Sequence, residues 1–334
     1  MAEHRTDPTR TPLLLTPELV YRPWGGRRLA HLGERREETS GPVGEAWLAG
    51  PGSRVLGPDA AGGRGAALAD LAREHGEALV GSGPFARYGA RVPLLTKLLD
   101  VAAPLSVQVH PDDAYALRFE AASGHLGKTE AWYVLDAAPG AFVLWGWERE
   151  VSAEEVRAAV SAGTLEELLH VREVRPGDVV VNEAGVVHAV GPGVLIFELQ
   201  QASDLTYRLY DYENRDASGE PRELHVDKAL EVARLAPSLL GEPPVTVGPG
   251  RVRLASTAAF TLERWEVGRG GAPSTQGWHV DPRSLEFWTV IEGEARLECE
   301  VCALDLRCYQ SVALPASLAE ASWCGEALLL RGRA

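Results

Sequence analysis

Short apolar runs, separated by turns that contain glycine or proline, recur along most of the chain. In residues 175–201, Pro-Gly-Asp, Ala-Gly and Gly-Pro-Gly turns precede the runs VVVN, VVHAV and VLIFELQQ. Short strands with such turns at this spacing are typical of an antiparallel sandwich or barrel. Beyond residue 250 the pattern continues in STAAFTLERWEV, SLEFWTVIEGEARLECEV, SVALPASLAEASW and EALLLRG. The chain is therefore predicted to be mainly β.

Helical patterns are fewer and occur in three segments, 67–79, 152–170 and 225–235. Ser152 and Glu155 have the spacing of a capping box, which predicts the beginning of the second helix. Residues 236–250, APSLLGEPPVTVGPG, have the composition of a linker. We therefore expect two β domains, 1–238 and 239–334, with a few helices.

Composition and charge narrow the class of protein. The 334 residues, 45% of them hydrophobic, are enough to bury a sizeable core. A formal net charge of −14 disfavours nucleic acid and an anionic membrane surface as partners. The chain has no apolar run long enough for a transmembrane helix, and its first residues do not resemble a signal peptide. We expect a cytoplasmic protein.

Four cysteines lie near the C-terminus, and Cys299 and Cys302 form a C-x-x-C pair. Such a pair can bind zinc or act in redox chemistry. However, the surrounding EARLECEVCALDLR reads as a strand, in which residues three apart point to opposite faces. No second C-x-x-C supplies further ligands. We therefore expect no metal or redox site at this pair.

The segment LSVQVHPDD carries the first candidate chemistry. In a strand with period two, Gln108 and His110 lie on one face together with Ser106, and Pro111 ends the strand. Further along, Glu130 follows a glycine turn and His188 follows another. A glutamine, two histidines and a glutamate form a mixed oxygen and nitrogen set that suits a borderline divalent ion such as zinc.

Several motifs, in order, resemble type I mannose-6-phosphate isomerases, a zinc-dependent family with the cupin fold. They are YRPWGGRRLA, GEAWLAG, LLTKLLDVAAPLSVQVHPDDAYA, GKTEAWYVL, PGDVVVNEAGVVHAVGPG and LQQASDLTYRLYDYENRDASGEPRELHVDKAL. The resemblance is dense over roughly residues 15–235, weak beyond them, and closest to the shorter bacterial form. It implies two cupin-like jelly-roll barrels, with 1–238 as the catalytic, metal-binding domain and 239–334 as a degenerate one without metal.

The resemblance places the family's zinc ligands, one ion per chain, on Gln108, His110, Glu130 and His188. The second cupin motif is also present, except that Glu183 stands where the family has proline. Proline would stiffen the turn before His188, so we expect this turn to be less rigid without it.

The resemblance also implies a sugar phosphate as the substrate and a set of residues that act on it. Catalytic roles fall on Arg208, Lys97, Lys128 and Glu198, and substrate binding on Ser106, Lys128, Asp204 and Arg208. An arginine suits phosphate because its planar fork of donors stays charged. An alternative for Arg208 is an ion pair with Asp204 or Asp211. Lys97, set among leucines in PLLTKLLD, is expected to be buried and neutral.

The implied reaction interconverts mannose 6-phosphate and fructose 6-phosphate through a cis-enediol, with a proton moving between C1 and C2. Three groups, Lys97, Lys128 and Glu198, compete for the proton transfer. Longer members of the family have a histidine directly before the motif lysine, whereas this chain has Gly127 there and His125 two residues earlier. No residue is assigned to ring opening.

The tail retains only an echo of the second cupin motif. Ser317 stands at a glycine position and Glu320 at the histidine position. We therefore expect no metal in the tail and a stabilising role for it, in a monomer or homodimer. Two other functions stay open, a non-catalytic sugar-binding cupin and a metal-dependent cupin oxygenase that uses His110, Glu130 and His188.

Overall fold

The computed structural model describes residues 7–32, 42–56, 64–212, 214–215, 219–238 and 242–334. Its strands are β1 Leu13–Thr16, β2 Glu18–Gly26, β3 Val43–Ala49, β4 Arg54–Leu56, β5 Arg64–Ala67, β6 Leu94–Val101, β7 Val107–Val109, β8 Glu130–Ala137, β9 Phe142–Trp147, β10 Leu169–Glu173, β11 Val179–Asn182, β12 His188–Val190, β13 Val194–Gln201, β14 Tyr207–Tyr210, β15 Val245–Gly248, β16 Arg251–Ser256, β17 Thr261–Val267, β18 Thr275–His279, β19 Glu286–Glu298, β20 Ala303–Arg307, β21 Ser311–Leu314 and β22 Glu320–Arg333. Its α-helices are α1 Leu68–His75, α2 Glu77–Val80, α3 Ser82–Tyr88, α4 Asp113–Phe119, α5 Ala153–Ala162 and α6 Val226–Val232. The prediction of a mainly β chain with a few helices is confirmed.

Individual elements follow the sequence closely. The three strands predicted in 175–201 are β11, β12 and β13. The Ser152 hydroxyl accepts a hydrogen bond from the Glu155 amide at 3.1 Å, as expected of an N-cap. The helix predicted to 170 ends at Gly163, whose positive φ of 70° terminates α5. The predicted linker contains a strand, β15.

The chain forms two compact units. Their bounds differ from the expected division into residues 1–238 and 239–334. One comprises Met1–Glu18, Trp47–Thr96 and Glu242–Ala334, and the other Leu19–Ala46 and Lys97–Gly241. Of the N-terminal strands, β1, β4 and β5 lie in the first unit, whereas β2 and β3 lie mainly in the second. Within the first unit, β1 pairs with β21 on one side and with β4 on the other.

The unit of Leu19–Ala46 and Lys97–Gly241, here called the site unit, is built on two antiparallel sheets. One has the strand order β10-β9-β12-β7-β14, and the other the order β11-β8-β13-β6-β2-β3. Trp132 and Val134 from one sheet pack with Val143 and Trp145 from the other in a shared core. Full burial of such a side chain stabilises the fold by about 1.5–3 kcal/mol.

The alternation predicted for β7 is present. Val107 and Val109 are fully buried in a second core, which also contains Leu165 and Ala229 of the helical segments. Gln108, between the two valines, therefore points to the opposite face of its sheet. This face is the one on which the candidate ligands lie.

The other unit has a core rich in tryptophan and a buried ion pair. Arg331 is 2% exposed, and its guanidinium lies 2.7 Å from Glu286 and 2.9 Å from Glu263. The same guanidinium stacks 4.1 Å from the ring centre of Trp278. Glu320, at the histidine position of the echoed motif, is exposed on β22. In the described part of the chain, no helix is long and apolar enough to cross a membrane.

Candidate active site

Residues from both sheets of the site unit converge at one buried point. Gln108 lies on β7 and His188 begins β12 in one sheet, while Glu130 begins β8 in the other. His110 directly follows β7. Ligand atoms of His110, Glu130 and His188 all lie within 4.8 Å of one another, and each side chain is at most 1% exposed. The structure thus brings three of the four predicted ligands together.

Backbone carbonyls orient both histidines. His110 donates its Nδ1–H to Leu205 at 2.8 Å, and His188 donates its Nδ1–H to Val186 at 2.9 Å. A carbonyl oxygen only accepts, so in the neutral ring Nε2 keeps its lone pair. The Nε2 atoms of His110 and His188 lie 3.4 and 3.1 Å from Glu130. Burial lowers the pKa of His110 to about 3, which keeps this ring neutral.

Gln108, the fourth predicted ligand, borders the cluster. It is the cross-strand partner of His188, and its Nε2 lies 3.4 Å from His188 Nε2. The Ser106 hydroxyl donates to Gln108 Oε1 at 3.3 Å. The three polar residues that the sequence places in one row therefore do share a face.

Glu130 is an ionised carboxylate among cations and imidazoles. Burial alone would raise its pKa, but the charge of Lys128 leads the contributions that outweigh burial and hold the pKa well below its usual value. Lys128 Nζ lies 2.7 Å from Glu130, and Asn182 donates to the other carboxylate oxygen at 3.3 Å. Burial opposes the charge on Lys128, yet Glu130 and Glu198 raise its pKa.

These donors fit a divalent metal ion. Two imidazole nitrogens with free lone pairs, one ionised carboxylate and a bordering amide are ligands that zinc and similar ions accept. Metal-bound histidines almost always donate their second N–H to a carbonyl or carboxylate, as both do here. Among the described residues this is the only such group of histidine, cysteine, aspartate or glutamate.

Hydrogen bonds hold the turn before His188, although it lacks the proline of the family motif. Gly185 has a φ of +88°, and its amide donates to the His110 carbonyl at 2.9 Å. Its own carbonyl accepts from the Arg234 amide at 2.9 Å. The Arg234 side chain also pairs with Glu183 at 3.0 Å. Hydrogen bonds and an ion pair to two other segments therefore stabilise the turn.

Lys97 lies between two carboxylates, and the expectation of purely apolar surroundings is wrong. Its Nζ lies 3.6 Å from Glu45 and 3.6 Å from Glu198. The neighbouring leucines flank Lys97 along β6, whereas the carboxylates reach it from β3 and β13. Lys97 is buried as expected, but its ammonium group lies among charged side chains. Burial and the charge of Glu130 raise the pKa of Glu198, whose carboxylate also accepts from Trp132 Nε1 at 3.0 Å.

Arg208 lies beside the ligand row. It is the cross-strand partner of Gln108 on β14, and its buried Nε has no hydrogen-bond partner. Asp211, a possible partner, is instead bound by Arg222, whose Nε donates to it at 2.6 Å. Burial, followed by the charge of Arg222, lowers the pKa of Arg208. Within the described residues Arg208 makes no ion pair, so its guanidinium can receive an anion.

One predicted site residue remains, Asp204. Asp204 is exposed and acts electrostatically on Arg208 and Lys128. Gly127 has no room for a side chain, since a Cβ there would lie 2.4 Å from the backbone of Asp112. The histidine found in longer members could not occupy this position without moving the chain.

Four residues of the site escaped the sequence analysis: Arg22, Glu45, Asn182 and Arg222. Glu45 lies in the motif GEAWLAG and Arg22 in YRPWGG, two motifs that contribute to the sequence prediction only through their resemblance to the family. The signal that could have identified these two residues is a charged side chain inside an otherwise apolar motif. Nothing in the local sequence indicated that Arg222 binds Asp211.

Comparisons with known proteins identify the family of this chain. The model of the family "Phosphomannose isomerase type I, catalytic domain" matches residues 13–130. The mannose-6-phosphate isomerase ManA of Bacillus subtilis (strain 168) is 37% identical, over 86% of this chain and 88% of that protein. A crystal structure of the mannose 6-phosphate isomerase from Bacillus subtilis superposes with a TM-score of 0.81 at 32% identity, covering 97% of this chain and 99% of that one.

A third comparison concerns fold alone. A mannose 6-phosphate isomerase structure described as holo and zinc bound has a TM-score of 0.74 at 19% identity, covering 96% of this chain and 98% of that one. The identity and coverage of the Bacillus subtilis relatives decide the family. The chain belongs to the mannose-6-phosphate isomerases.

Proposed function

We propose that this isomerase uses one zinc ion, held by Gln108, His110, Glu130 and His188, to interconvert mannose 6-phosphate and fructose 6-phosphate. The observation that carries this proposal is the buried cluster of His110, Glu130 and His188, with both imidazole Nε2 atoms turned towards the carboxylate. When bound, the metal would act as a Lewis acid on the sugar oxygens next to the reacting carbons.

The residues around the cluster support proton transfer through a cis-enediol. Glu198 is buried beside Lys97, and its raised pKa brings it closer to the range that a proton carrier needs. Lys97 and Lys128 would place positive charge where the sugar oxygens become negative. We assign the carrier role to Glu198 and a charge-stabilising role to Lys97.

Arg208 is the proposed phosphate ligand, together with Ser106, Lys128 and Asp204 as substrate-binding residues. The support for Arg208 is its position beside Gln108 and its unpartnered Nε. A cation here overrides the acidic charge of the whole chain locally.

Two alternative functions are a non-catalytic sugar-binding cupin and a metal-dependent cupin oxygenase. Three buried or half-buried cations, Lys97, Lys128 and Arg208, surround the cluster of proposed ligands. They favour an isomerase over an oxygenase, because an oxygenase needs no phosphate ligand. Metal analysis combined with a coupled isomerase assay separates the three. An isomerase holds metal and interconverts the two sugar phosphates, a binding protein shows no turnover, and an oxygenase consumes oxygen instead. The cytoplasmic location and the monomeric or homodimeric state stay predictions.

A further inference from the structure

Arg22 is the outermost member of a row of alternating charges that leads into the site. Its Nε donates to Glu45 at 2.7 Å, Glu45 lies 3.6 Å from Lys97, and Lys97 lies 3.6 Å from Glu198. The Arg22 side chain is 33% exposed, whereas those of the other three are at most 8% exposed. Arg22 therefore connects the buried centre with solvent.

Glu45 holds Arg22 in a way that leaves donors for a ligand. Only Nε is engaged, and in the described parts of the chain neither Nη group has a hydrogen-bond partner. A guanidinium carries five N–H donors in one plane. Anchoring Nε on a buried carboxylate fixes that plane and so reduces the entropy lost when the Nη groups bind.

Arg22 also belongs to the electrostatic surroundings of Arg208. Arg22 and Arg222 carry like charges close enough to Arg208 to act on it electrostatically. Asp204 acts on Arg22 as well as on Arg208. Cations that repel each other in this way are stabilised by an anion that contacts both, and phosphate carries enough charge and acceptor atoms to do so.

We infer that Arg22, positioned by Glu45, is a second phosphate-binding residue that acts together with Arg208. This inference rests on the proposed function, because the phosphate would be that of the sugar substrate. It assigns Arg22 to binding rather than to proton transfer. Its loss should therefore change the KM for the phosphorylated sugar and leave kcat nearly unchanged.

The test compares Arg22→Gln with Arg28→Gln in the metal-loaded full chain. Arg28 is a matched control, since its Nε also donates to a buried carboxylate, Asp100, at 2.6 Å, and its side chain is 36% exposed. Two measurements are made, the Kd of inorganic phosphate by calorimetry and the KM for mannose 6-phosphate against that for free mannose. Metal content and Tm are checked in both variants.

Arg22→Gln should weaken phosphate binding and raise the KM for mannose 6-phosphate by about ten- to a hundred-fold, the scale of a lost charged hydrogen bond. Arg28→Gln and the KM for free mannose should change little. Unaltered phosphate binding in Arg22→Gln, or an equal loss in Arg28→Gln, overturns the inference. If the native chain binds phosphate through Arg22 but isomerises no sugar phosphate, the proposed function fails and the anion site stands.

Discussion

His188 and Gln108 are direct partners across two antiparallel strands, and Gln108 is in turn the partner of Arg208 on the next strand. Three adjacent strands thus place a histidine, an amide and a guanidinium in one row. With the proposed metal ligand at one end and the proposed phosphate-binding cation at the other, the row would hold a sugar phosphate across it. Fixed separation of the two groups positions the reacting carbons, which is a main source of rate in such enzymes.

His188→Ala tests the metal ligand at the end of this row. The substitution removes the Nε2 atom that lies 3.1 Å from Glu130, so bound metal should fall well below one ion per chain and turnover should be lost. Elemental analysis and the coupled assay measure both. His170→Ala is the control, because His170 is exposed and pairs with Glu148 at the surface. Full metal content and a normal rate in His188→Ala would remove the assignment.

Arg208→Lys tests the phosphate assignment. Lysine keeps the charge but loses the planar fork, so kcat/KM for mannose 6-phosphate should fall by roughly ten- to a hundred-fold. The loss should be smaller for free mannose, which has no phosphate. An equal loss for both sugars would show that Arg208 acts on the reacting carbons.

Lys97→Met tests the charge between Glu45 and Glu198. Methionine preserves length and apolar packing but removes the positive charge proposed to stabilise the sugar oxygens. Metal content should stay intact while turnover falls by roughly a hundred- to a thousand-fold, the scale for losing one such electrostatic contact. Glu198→Gln removes the proposed proton carrier and should lower turnover by roughly a hundred- to ten-thousand-fold. Retention of more than about a tenth of the native rate in Lys97→Met, well above the expected range, would remove the charge-stabilising role of Lys97.

Gly185→Ala tests the turn that carries His188. Its φ of +88° strains any other residue, and a Cβ would lie 3.0 Å from the Val232 carbonyl oxygen. We expect a loss of about 1–3 kcal/mol in the free energy of unfolding together with weaker metal binding. Gly177→Ala provides the comparison, since Gly177 has a φ of +93° with no atom within 4 Å of its Cβ position. Equal effects of both substitutions on metal affinity would contradict a special role for the 185 turn.

Local patterns were enough to predict the row of Ser106, Gln108 and His110, because alternation in a strand places side chains two apart on one face. Glu130 and His188 were found from their chemistry and from motif resemblance. Their convergence depends on two sheets that face each other, and the structure provides this arrangement. The sequence therefore predicts which residues supply the proposed metal ligands.

Contacts between distant segments were not predictable. Leu13 pairs with Ala313, and no local signal marks a strand partner so far along the chain. Glu45 reaches Lys97 from another strand, so the apolar run around Lys97 gave a false picture of its surroundings. Cys299 and Cys302 likewise lie 3.4 Å apart at Sγ, because a turn between β19 and β20 interrupts the strand that the sequence indicated.

The most direct test of the central claim is a metal titration of the chelator-treated full chain, followed by the coupled assay for interconversion of mannose 6-phosphate and fructose 6-phosphate. A site made by His110, Glu130 and His188 predicts no turnover without metal. It also predicts a linear recovery with added zinc and a plateau at one ion per chain. Full turnover by the metal-free chain, or recovery that requires a second ion, would contradict it.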